Sequence, residues 1–544
     1  MNTLTTVPHL RHDEFSVTLT EGGDIRQIRY QDIMINQLIH HPFDESLMNL
    51  YVRHDASAAL PLLGIHSPSR LALSEHTISW KGEYETFGYE VVASLHTTGM
   101  HFKVSIIGEG EFDVTYAQDL GLADEAGVRT NEAYMAQYID YVATEHGVLA
   151  RQNQRQSTGF PSVAILSHDR IEEFATDGFD VYGTSYRATN MAKGLHTTLP
   201  SRILQYEFAL PTIRTVVKES DGEIAFQFEL RFIPSMEEAL DEQSIHQFMP
   251  LFEREEERKG HHRTTFLQTP KTLVGKTATT QQLDDLYPER LLEEWEGSQL
   301  LSFFTPNGHH VVLKEKELLV DRSHATILLN GGSLAPLDKK LATTVHMNGV
   351  FNSHIVHGNT NYNKWTSNVR NPLNIPKTSG QRIYIARNEE YQLLTLPSIF
   401  EMGWNEVVWY YFVDEETIEI RTSIGADRPV LETTVKTLHP HAMKISHQVT
   451  MHTQEYDVPF QMEQDGNRLH FRATDDTLSK RVLPHLTYTI EMDQPYSITQ
   501  TSDWLTQPIV DDLVWLSVEA TDHLVMRMGT EEQLFFEAEK EKLL

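Results

Sequence analysis

The chain has 544 residues, which at roughly 150 residues per domain predicts more than one domain. Hydrophobic residues make up 40% of the sequence and charged residues 22%, as expected of a globular protein with a large core. The 77 acidic residues outnumber the 45 basic ones, and the resulting formal charge of −32 repels phosphate backbones and anionic lipids. We therefore expect neither nucleic acid nor a membrane surface as a partner.

Cysteine and long apolar segments are both missing from the sequence. Without cysteine, the chain forms no disulfide framework and no cysteine-ligated metal site. Its apolar runs stay shorter than the about 18 residues that a membrane helix needs, and residues 1–15 lack the apolar core of a signal peptide. The sequence thus predicts a cytoplasmic protein.

The dominant pattern along the chain is alternation of apolar and polar residues, which is typical of half-buried strands. It is clearest at 224–232, directly after the turn-forming pair Asp221-Gly222. Residues 407–413 and 417–424 form a second predicted hairpin. The other predicted strands are Ile25–Tyr30, His76–Trp80, Phe102–Ile107, Ile203–Leu210, Val311–Val320, Met443–Met451 and Leu486–Met492. Strands at this spacing, without helices between them, predict antiparallel β-sandwiches.

Helical patterns are few. Ser235 and Glu238 form a predicted capping box, followed by apolar residues at helical spacing as far as Phe252. The other predicted helices are 131–142, 284–295 and 530–544.

Together these patterns predict a mainly β protein with two large antiparallel β-sandwich domains joined by a helical linker. The predicted divisions are an N-terminal sandwich with a short inserted helix at 1–245, a helical linker at 246–295, a second large sandwich at 296–510, and the start of a further helical linker at 511–544.

The densest polar and aromatic cluster lies at 352–374 and contains seven asparagines. Amide side chains offer donors and acceptors to sugar hydroxyls, and an indole can stack on a pyranose face. An equally weighted interpretation is that asparagine and glycine simply support a long ordered loop. The candidate residues for contact with a carbohydrate or with a neighbouring domain are Asn359, Asn361, Lys364, Trp365, Arg370 and Asn371.

Other clusters favour structural interpretations. On a strand, the rings of His354 and His357 point to opposite faces, so they do not predict a metal site. The pair His309-His310 is interpreted as turn residues. Three carboxylates occur close together at Asp119, Asp124 and Glu125, which would suit either acid catalysis on sugars or a solvated acidic loop. We expect no metal and no cofactor.

Five strings occur in order along the chain: Val-Thr-Tyr-Ala-Gln-Asp-Leu-Gly from 114, Val-Arg-Thr-Asn-Glu-Ala-Tyr-Met-Ala-Gln-Tyr-Ile-Asp from 128, Arg-Gln-Asn from 151, Tyr-Gly-Thr-Ser-Tyr from 182 and His-Gly-Asn-Thr-Asn-Tyr-Asn-Lys from 357. Together they resemble the N-terminal half of 1,2-β-oligoglucan phosphorylases. These enzymes belong to glycoside hydrolase family 94, with cellobiose phosphorylase and part of cyclic β-1,2-glucan synthase. The resemblance implies an N-terminal β-sandwich, the large sandwich of the family, a helical linker, an (α/α)6 barrel and a C-terminal β domain.

The resemblance also implies a mechanism. An aspartate in the barrel protonates the glycosidic oxygen, and inorganic phosphate attacks the anomeric carbon with inversion. We expect that barrel to be missing from this chain, because a dozen helices need several hundred further residues. Asp503-Trp504 is followed by Leu-Thr-Gln and does not match the Asp-Trp-Asn-Asp string of related phosphorylases. No catalytic residue is therefore assigned.

Three hypotheses remain open. In the first, the chain is the non-catalytic half of a phosphorylase for β-1,2-glucooligosaccharides, either truncated or working with a separate barrel chain. Phosphate is then a substrate only of the full enzyme. Alternatively, the chain is a stand-alone carbohydrate-binding or scaffolding protein that has lost catalysis. The third hypothesis is an independent glycosidase that uses acids among Asp119, Asp124 and Glu125.

Overall fold

The computed structural model describes residues 8–37, 44, 46–240, 259–262, 271–330, 340–358, 363–426, 428–451, 455, 460–499 and 513–530. These residues form two compact units. Unit 1 contains the described residues of Met1–Gly183 and Met191–Thr269, and unit 2 contains those of Thr184–Asn190, Pro270–Trp504 and Pro508–Leu544. In chain order, the helices are α1 (Glu125–Ala136), α2 (Gly178–Tyr182), α3 (Tyr186–Thr189), α4 (Lys193–His196), α5 (Thr280–Leu286), α6 (Lys314–Glu317) and α7 (Leu478–Val482).

Unit 1 is built from antiparallel strands in two sheets. Its strands are β1 (His9–His12), β2 (Phe15–Leu19), β3 (Ile25–Tyr30), β4 (Ile33–Met34), β5 (Asn49–His54), β6 (Leu60–Pro61), β7 (Arg70–Leu73), β8 (Thr77–Glu83), β9 (Gly88–His96), β10 (Gly99–Ala117), β11 (Ala123–Asp124), β12 (Ile139–Thr144), β13 (Gly147–Gln152), β14 (Ser162–Ser167), β15 (Ile171–Asp177), β16 (Ala209–Thr215), β17 (Lys218–Ile233) and β18 (Lys259–His262). The first sheet contains β1 to β4 and β11, and the other strands form the second.

The core of unit 1 combines residues from both sheets. Phe15 and Val17 come from the first sheet, and Trp80 and Phe228 come from the second. The indole nitrogen of Trp80 donates to the carbonyl of Gly23 at 2.7 Å, so the buried polar atom of this large side chain is satisfied. The long strands β10 and β17 pair along their length and place alternate apolar residues in this core.

Unit 2 contains the remaining strands, again almost entirely antiparallel. They are β19 (Thr272–Leu273), β20 (Leu291–Glu296), β21 (Gln299–Phe304), β22 (His310–Leu313), β23 (Ala325–Leu329), β24 (Leu341–His346), β25 (Val350–His357), β26 (Gln381–Arg387), β27 (Glu390–Leu394), β28 (Ile399–Met402), β29 (Glu406–Val413), β30 (Glu416–Ile424), β31 (Val430–Gln448), β32 (Phe460–Asp465), β33 (Arg468–Ala473), β34 (Tyr488–Met492), β35 (Tyr496–Thr499) and β36 (Leu513–Thr530).

A buried polar network crosses the core of unit 2. The amide nitrogen of Asn352 donates to Gln381 at 2.8 Å and to Thr433 at 3.0 Å, and its oxygen accepts from Thr343 at 3.1 Å. Gln381 also contacts Nε2 of His447 at 2.9 Å. Because an unpaired polar group in this core is costly, the network stabilises one register of β24, β25, β26 and β31.

Arg187, in α3, is buried within unit 2. Its guanidinium donates to the carbonyls of Glu317 and Val320 at 2.6 Å each, to that of Pro372 at 3.1 Å, and to that of Asp321. Glu317 ends α6, where the last carbonyls have no partner within the helix. One planar cation therefore satisfies four backbone acceptors from two parts of unit 2.

The predicted fold class is confirmed, because both units are mainly antiparallel β-structure. Three local predictions were wrong. The turn pair Asp221-Gly222 lies inside β17, opposite β10. Residues 203–208 precede β16 rather than forming a strand, and the predicted strand 311–320 ends at Leu313, where α6 follows.

Predicted helices were displaced in several places. The helix expected at 131–142 begins at Glu125 and is interrupted by the extended backbone of Asn131, and β12 follows it. The helix expected at 284–295 is α5, which starts with a capping box between Thr279 and Gln282, and β20 occupies Leu291–Glu296.

Residues 513–530, expected to begin a helical linker, are strand β36. This strand pairs with β31, β34 and β35, and these pairings satisfy its backbone more fully than a short helix would. The helix predicted from the Ser235–Glu238 capping box to Phe252 does not begin there, because residues 235–240 are not helical and the Ser235 hydroxyl donates to Glu237 at 2.9 Å. The rest of that prediction, at 241–252, and residues 531–544 of the predicted terminal helix lie outside the described residues, while Thr530 ends β36. The predicted domain boundaries remain a prediction. None of the helices in the described ranges is long and apolar enough to cross a membrane.

Buried and half-buried histidines, among them His447 and His96, make folding depend on pH. Burial lowers the pKa of His447 to about 3, and burial together with nearby histidines lowers the pKa of His96 to about 4. Unfolding returns each ring to a pKa of about 6.5. Between the folded-state pKa and this value, the unfolded chain binds protons that the folded chain does not. Both contributions to stability are complete above about pH 6.5 and are lost as the pH falls towards the folded-state pKa.

We predict that His447→Gln reduces the pH dependence of thermal stability. A glutamine carbonyl can still accept from Gln381, but it does not titrate. Differential scanning calorimetry should show a smaller loss of stability in this variant than in the parent chain when the pH falls from about 7 to about 5. His523→Gln, at a side chain that is 48% exposed, is the control and should keep the parent slope. Parallel curves for parent and His447→Gln would contradict the prediction.

Candidate functional site

The asparagine-rich loop predicted to contact carbohydrate joins β25 to β26 in unit 2. Asn359 and Asn361 lie outside the described residues. The described part of the loop is Gly358 and residues 363–380. The remaining four candidates are all buried: Lys364, Trp365, Arg370 and Asn371.

Trp365 belongs to the core of unit 2. Its side chain is 0% exposed, and its ring stacks on Tyr488 with centroids 5.1 Å apart and planes 8° apart. The ring centroid of Phe471 lies 5.2 Å from that of Trp365. The backbone N–H of Trp365 donates to the carbonyl of Ile355 at 2.7 Å. In this structure the indole stabilises the sandwich and has no free face for a sugar.

The other described candidates also have partners inside the protein. The ammonium of Lys364 forms an ion pair with Glu455, and both side chains are 1% exposed. The side-chain oxygen of Asn371 accepts from the backbone N–H of Leu373 at 2.9 Å. Arg370 is buried and has contacts of its own.

Amides further along the loop satisfy its irregular backbone. Asn374 adopts a left-handed conformation, with φ of 59°, and donates to the carbonyl of Asn348 at 2.9 Å. Its oxygen accepts from Arg382 at 2.7 Å, and that fully buried guanidinium also donates to the carbonyl of Ser379 at 2.7 Å. For the described residues, the geometry thus favours the interpretation that these amides support an ordered loop.

The acidic cluster in unit 1 has separate local partners. Burial raises the pKa of the Asp119 carboxyl to about 6, and one oxygen accepts from the backbone N–H of Gln37 at 2.8 Å. Asp124 accepts from Ser157, and Glu125 pairs with Arg29 at 2.9 Å. Asp119 is fully buried, so a sugar does not reach it in this arrangement.

A further polar cluster, which the sequence analysis missed, lies in unit 2. Nδ1–H of His309 donates to one oxygen of Glu401 at 2.7 Å, and the hydroxyl of Tyr287 donates to the other oxygen, also at 2.7 Å. Burial, followed by the nearby Glu401, raises the pKa of Tyr287 above its usual range. Beside this cluster, Trp404 is 81% exposed.

No local spacing could have revealed this arrangement. His309 and Glu401 are 92 positions apart and meet because β22 pairs with β28. The sequence signal available was the pair His309-His310 beside a glycine, which we interpreted as turn residues. Among the described residues, no group of three or more histidine, cysteine, aspartate or glutamate side chains could hold a metal ion.

Comparison with protein families places two domains on the chain. Residues 18–228 match the SOGP N-terminal domain, and residues 287–529 match the glycoside phosphorylase supersandwich domain. The chain is therefore a relative of glycoside phosphorylases.

Among characterised proteins, the chain is similar to 1,2-beta-oligoglucan phosphorylase of Listeria innocua serovar 6a, with 36% identity over 493 residues. This similarity confirms the family resemblance of the sequence strings. It covers 87% of this chain and 45% of the relative, so the chain spans less than half the length of that enzyme.

Solved structures give weaker similarities. A bacterial glucoamylase complexed with acarbose aligns with a TM-score of 0.26 and 11% identity, covering 41% of this chain and 31% of its own. A 4-alpha-glucanotransferase from Thermococcus litoralis aligns with a TM-score of 0.24 and 8% identity, covering 42% and 38%. Scores this low carry no structural argument.

We predict that Trp365→Ala destabilises unit 2 strongly. Removing a fully buried indole leaves a cavity and should lower the free energy of unfolding by about 3–5 kcal/mol. Trp295, in β20, is 53% exposed, and Trp295→Ala should change it by no more than about 0.5 kcal/mol. Urea unfolding followed by circular dichroism measures both. Equal effects of the two substitutions would contradict the placement of Trp365 in the core.

Proposed function

We propose that this chain provides the two β-sandwich domains of a family 94 glycoside phosphorylase that acts on β-1,2-glucooligosaccharides. The observation that carries the proposal is the 36% identity with 1,2-beta-oligoglucan phosphorylase over 87% of the chain. The matches to a SOGP N-terminal domain and a phosphorylase supersandwich domain support it. A cytoplasmic location remains a prediction.

The reaction proposed for the full enzyme is phosphorolysis. Inorganic phosphate attacks the anomeric carbon, the glycosidic bond breaks with inversion, and an acid protonates the departing oxygen, which yields glucose 1-phosphate. We assign that acid to a catalytic barrel outside the two sandwich domains. The surroundings of two acidic candidates in unit 1 support this assignment. Asp119 is buried, and Glu125 is paired with Arg29.

In this proposal, the sandwich domains position the barrel or the glucan rather than carry out the bond cleavage. Contact of the loop residues Asn359 and Asn361 with glucan or with the barrel is part of the proposal. The buried ion pair of Lys364 with Glu455 fixes the chain shortly after Asn361 in the sequence, because a buried charge needs a fixed partner.

We predict that the 544-residue chain alone releases no glucose 1-phosphate from β-1,2-glucooligosaccharides and phosphate above background. Loss of a general acid typically lowers the rate by about 10²–10⁴-fold. Adding the part of the Listeria relative that lies outside the aligned 45% of its length, as a second polypeptide, should restore release. A coupled assay for glucose 1-phosphate measures both reactions, and reactions without phosphate are the control for hydrolysis.

The outcomes separate the hypotheses of the sequence analysis. Robust phosphorolysis by the chain alone would overturn the assignment of the acid to a barrel. Glucose release without phosphate would favour an independent glycosidase. Saturable glucan binding, with no rate gain on adding the barrel, would favour a stand-alone carbohydrate-binding protein.

A further inference from the structure

Two neighbouring turns of unit 2 present an exposed indole beside a fixed imidazole. The turn from Thr305 to His309 precedes β22, and the turn from Gly403 to Glu406 joins β28 to β29. Backbone bonds close both turns: Thr305 N–H donates to the carbonyl of His309 at 2.9 Å, and Gly403 N–H donates to that of Glu406 at 2.8 Å.

Glycines allow the two turns to approach each other. A β-carbon at Gly403 would lie 2.9 Å from Cε1 of His309, and one at Gly308 would lie 4.0 Å from the Trp404 ring. Gly308 also has a φ of +80°, a left-handed conformation that favours glycine. Thus Trp404 lies against the turn that carries His309, and His309 lies against the turn that carries Trp404.

Glu401 fixes the orientation of the His309 imidazole. Its Nδ1–H donates to Glu401, whose second carboxylate oxygen accepts from the buried Tyr287. In the neutral ring this arrangement leaves Nε2 as a hydrogen-bond acceptor, with its direction fixed before a ligand arrives. The side chain of His309 is 17% exposed, and Cε1 and Nε2 are its ring atoms nearest to a β-carbon placed at Gly403, so the ring edge that carries Nε2 faces the turn of Trp404.

The rim of this surface is polar. Asn307 and Asn405, one on each turn, are exposed and carry amides that can donate to and accept from hydroxyl groups. We call the set Trp404, His309, Asn307 and Asn405 the Trp404 surface. One exposed aromatic face within a polar rim fits a ligand that has both a flat apolar face and hydroxyls.

The local charge favours a neutral ligand. Glu406 lies against Gly403, and its carboxylate pairs with Arg421 at 2.6 Å, while Glu419 pairs with the same guanidinium at 3.5 Å. Together with Glu401, these residues include three carboxylates and one guanidinium. The formal charge of the whole chain is −32. A phosphate or a sugar phosphate would be repelled.

We propose that the Trp404 surface is a binding subsite for a neutral oligosaccharide, with one pyranose ring stacked on Trp404 and a hydroxyl donating to Nε2 of His309. The inference rests on the proposed function for its choice of a glucan. It adds a sugar-binding site on the supersandwich domain, formed by residues that are not among the loop candidates of the sequence analysis.

Isothermal titration calorimetry on the 544-residue chain tests the proposal, with a β-1,2-linked glucotetraose as the probe. A single platform should bind with a Kd on the order of millimolar, because few contacts offset the cost of association. Trp404→Ala should weaken binding by at least about tenfold, which corresponds to the loss of roughly 1.4 kcal/mol. Trp404→Tyr should retain much of the affinity because it keeps a stacking face.

The matched control is Trp295→Ala, which removes a second exposed tryptophan of unit 2 and should leave the affinity unchanged. Within the proposed site, His309→Ala should weaken binding less than Trp404→Ala does. Thermal melts of each variant show whether the fold is retained. Equal affinity of Trp404→Ala and the parent chain, or no measurable binding by the parent, would overturn the proposal, as would tighter binding of glucose 1-phosphate than of the tetraose.

A second probe separates this inference from the proposed function. Maltotetraose has the same sugar units in a different linkage. Suppose that maltotetraose binds as well as the β-1,2-linked tetraose and that its binding also depends on Trp404. This result would support the proposed subsite but contradict the β-1,2 linkage assigned under the proposed function. Preference for the β-1,2-linked tetraose supports both.

Discussion

The backbone pairing of one long strand organises most of unit 2. Strand β31 runs from Val430 to Gln448 and pairs with β26, β30 and β36. Since buried N–H and C=O groups must find partners, these pairings decide which segments are strands and which residues face the core. The polar network of Asn352, Gln381 and His447 works within this frame, because its side chains meet only when the strands keep one register.

The asparagine-rich loop obeys the same constraint. A loop covered by protein cannot leave its backbone groups to water, so the amides of Asn371 and Asn374 and the guanidinium of Arg382 bond to it instead. Polar composition, which suggested a ligand-binding surface, here reflects burial of irregular backbone. The most exposed tryptophan among the described residues is Trp404, on a short hairpin turn.

Sequence reasoning succeeded where a pattern is local. The alternation at 224–232 and 417–424 gave the correct strands, because half-buried strands repeat every two residues, and the apolar run at 407–413 gave the strand β29, which is buried on both faces. It failed where distant segments decide the outcome. Trp365 is in the core because Tyr488 and Phe471 pack against it, and the bond between His309 and Glu401 depends on a strand pairing that no short window contains.

Several strings that carry the family resemblance contain residues with structural roles in this chain. Arg151 donates to the carbonyl of Met236 at 2.8 Å and lies over the ring of Phe160 at 4.6 Å. Lys364 is one half of a buried ion pair, and the string that begins at Tyr182 leads directly into α3. Similarity in such strings therefore reports a shared scaffold at least as much as a shared chemistry.

Arg187 has a consequence for dividing the molecule by protein engineering. A fragment that starts at Pro270 contains every strand described for unit 2 but lacks this guanidinium, which donates to four backbone carbonyls from outside that fragment. Those acceptors would lose their partner, and a lysine ammonium supplied there would not reproduce the planar fork. The sequence that encodes a stable second unit is thus discontinuous, and a single cut in the gene does not isolate it.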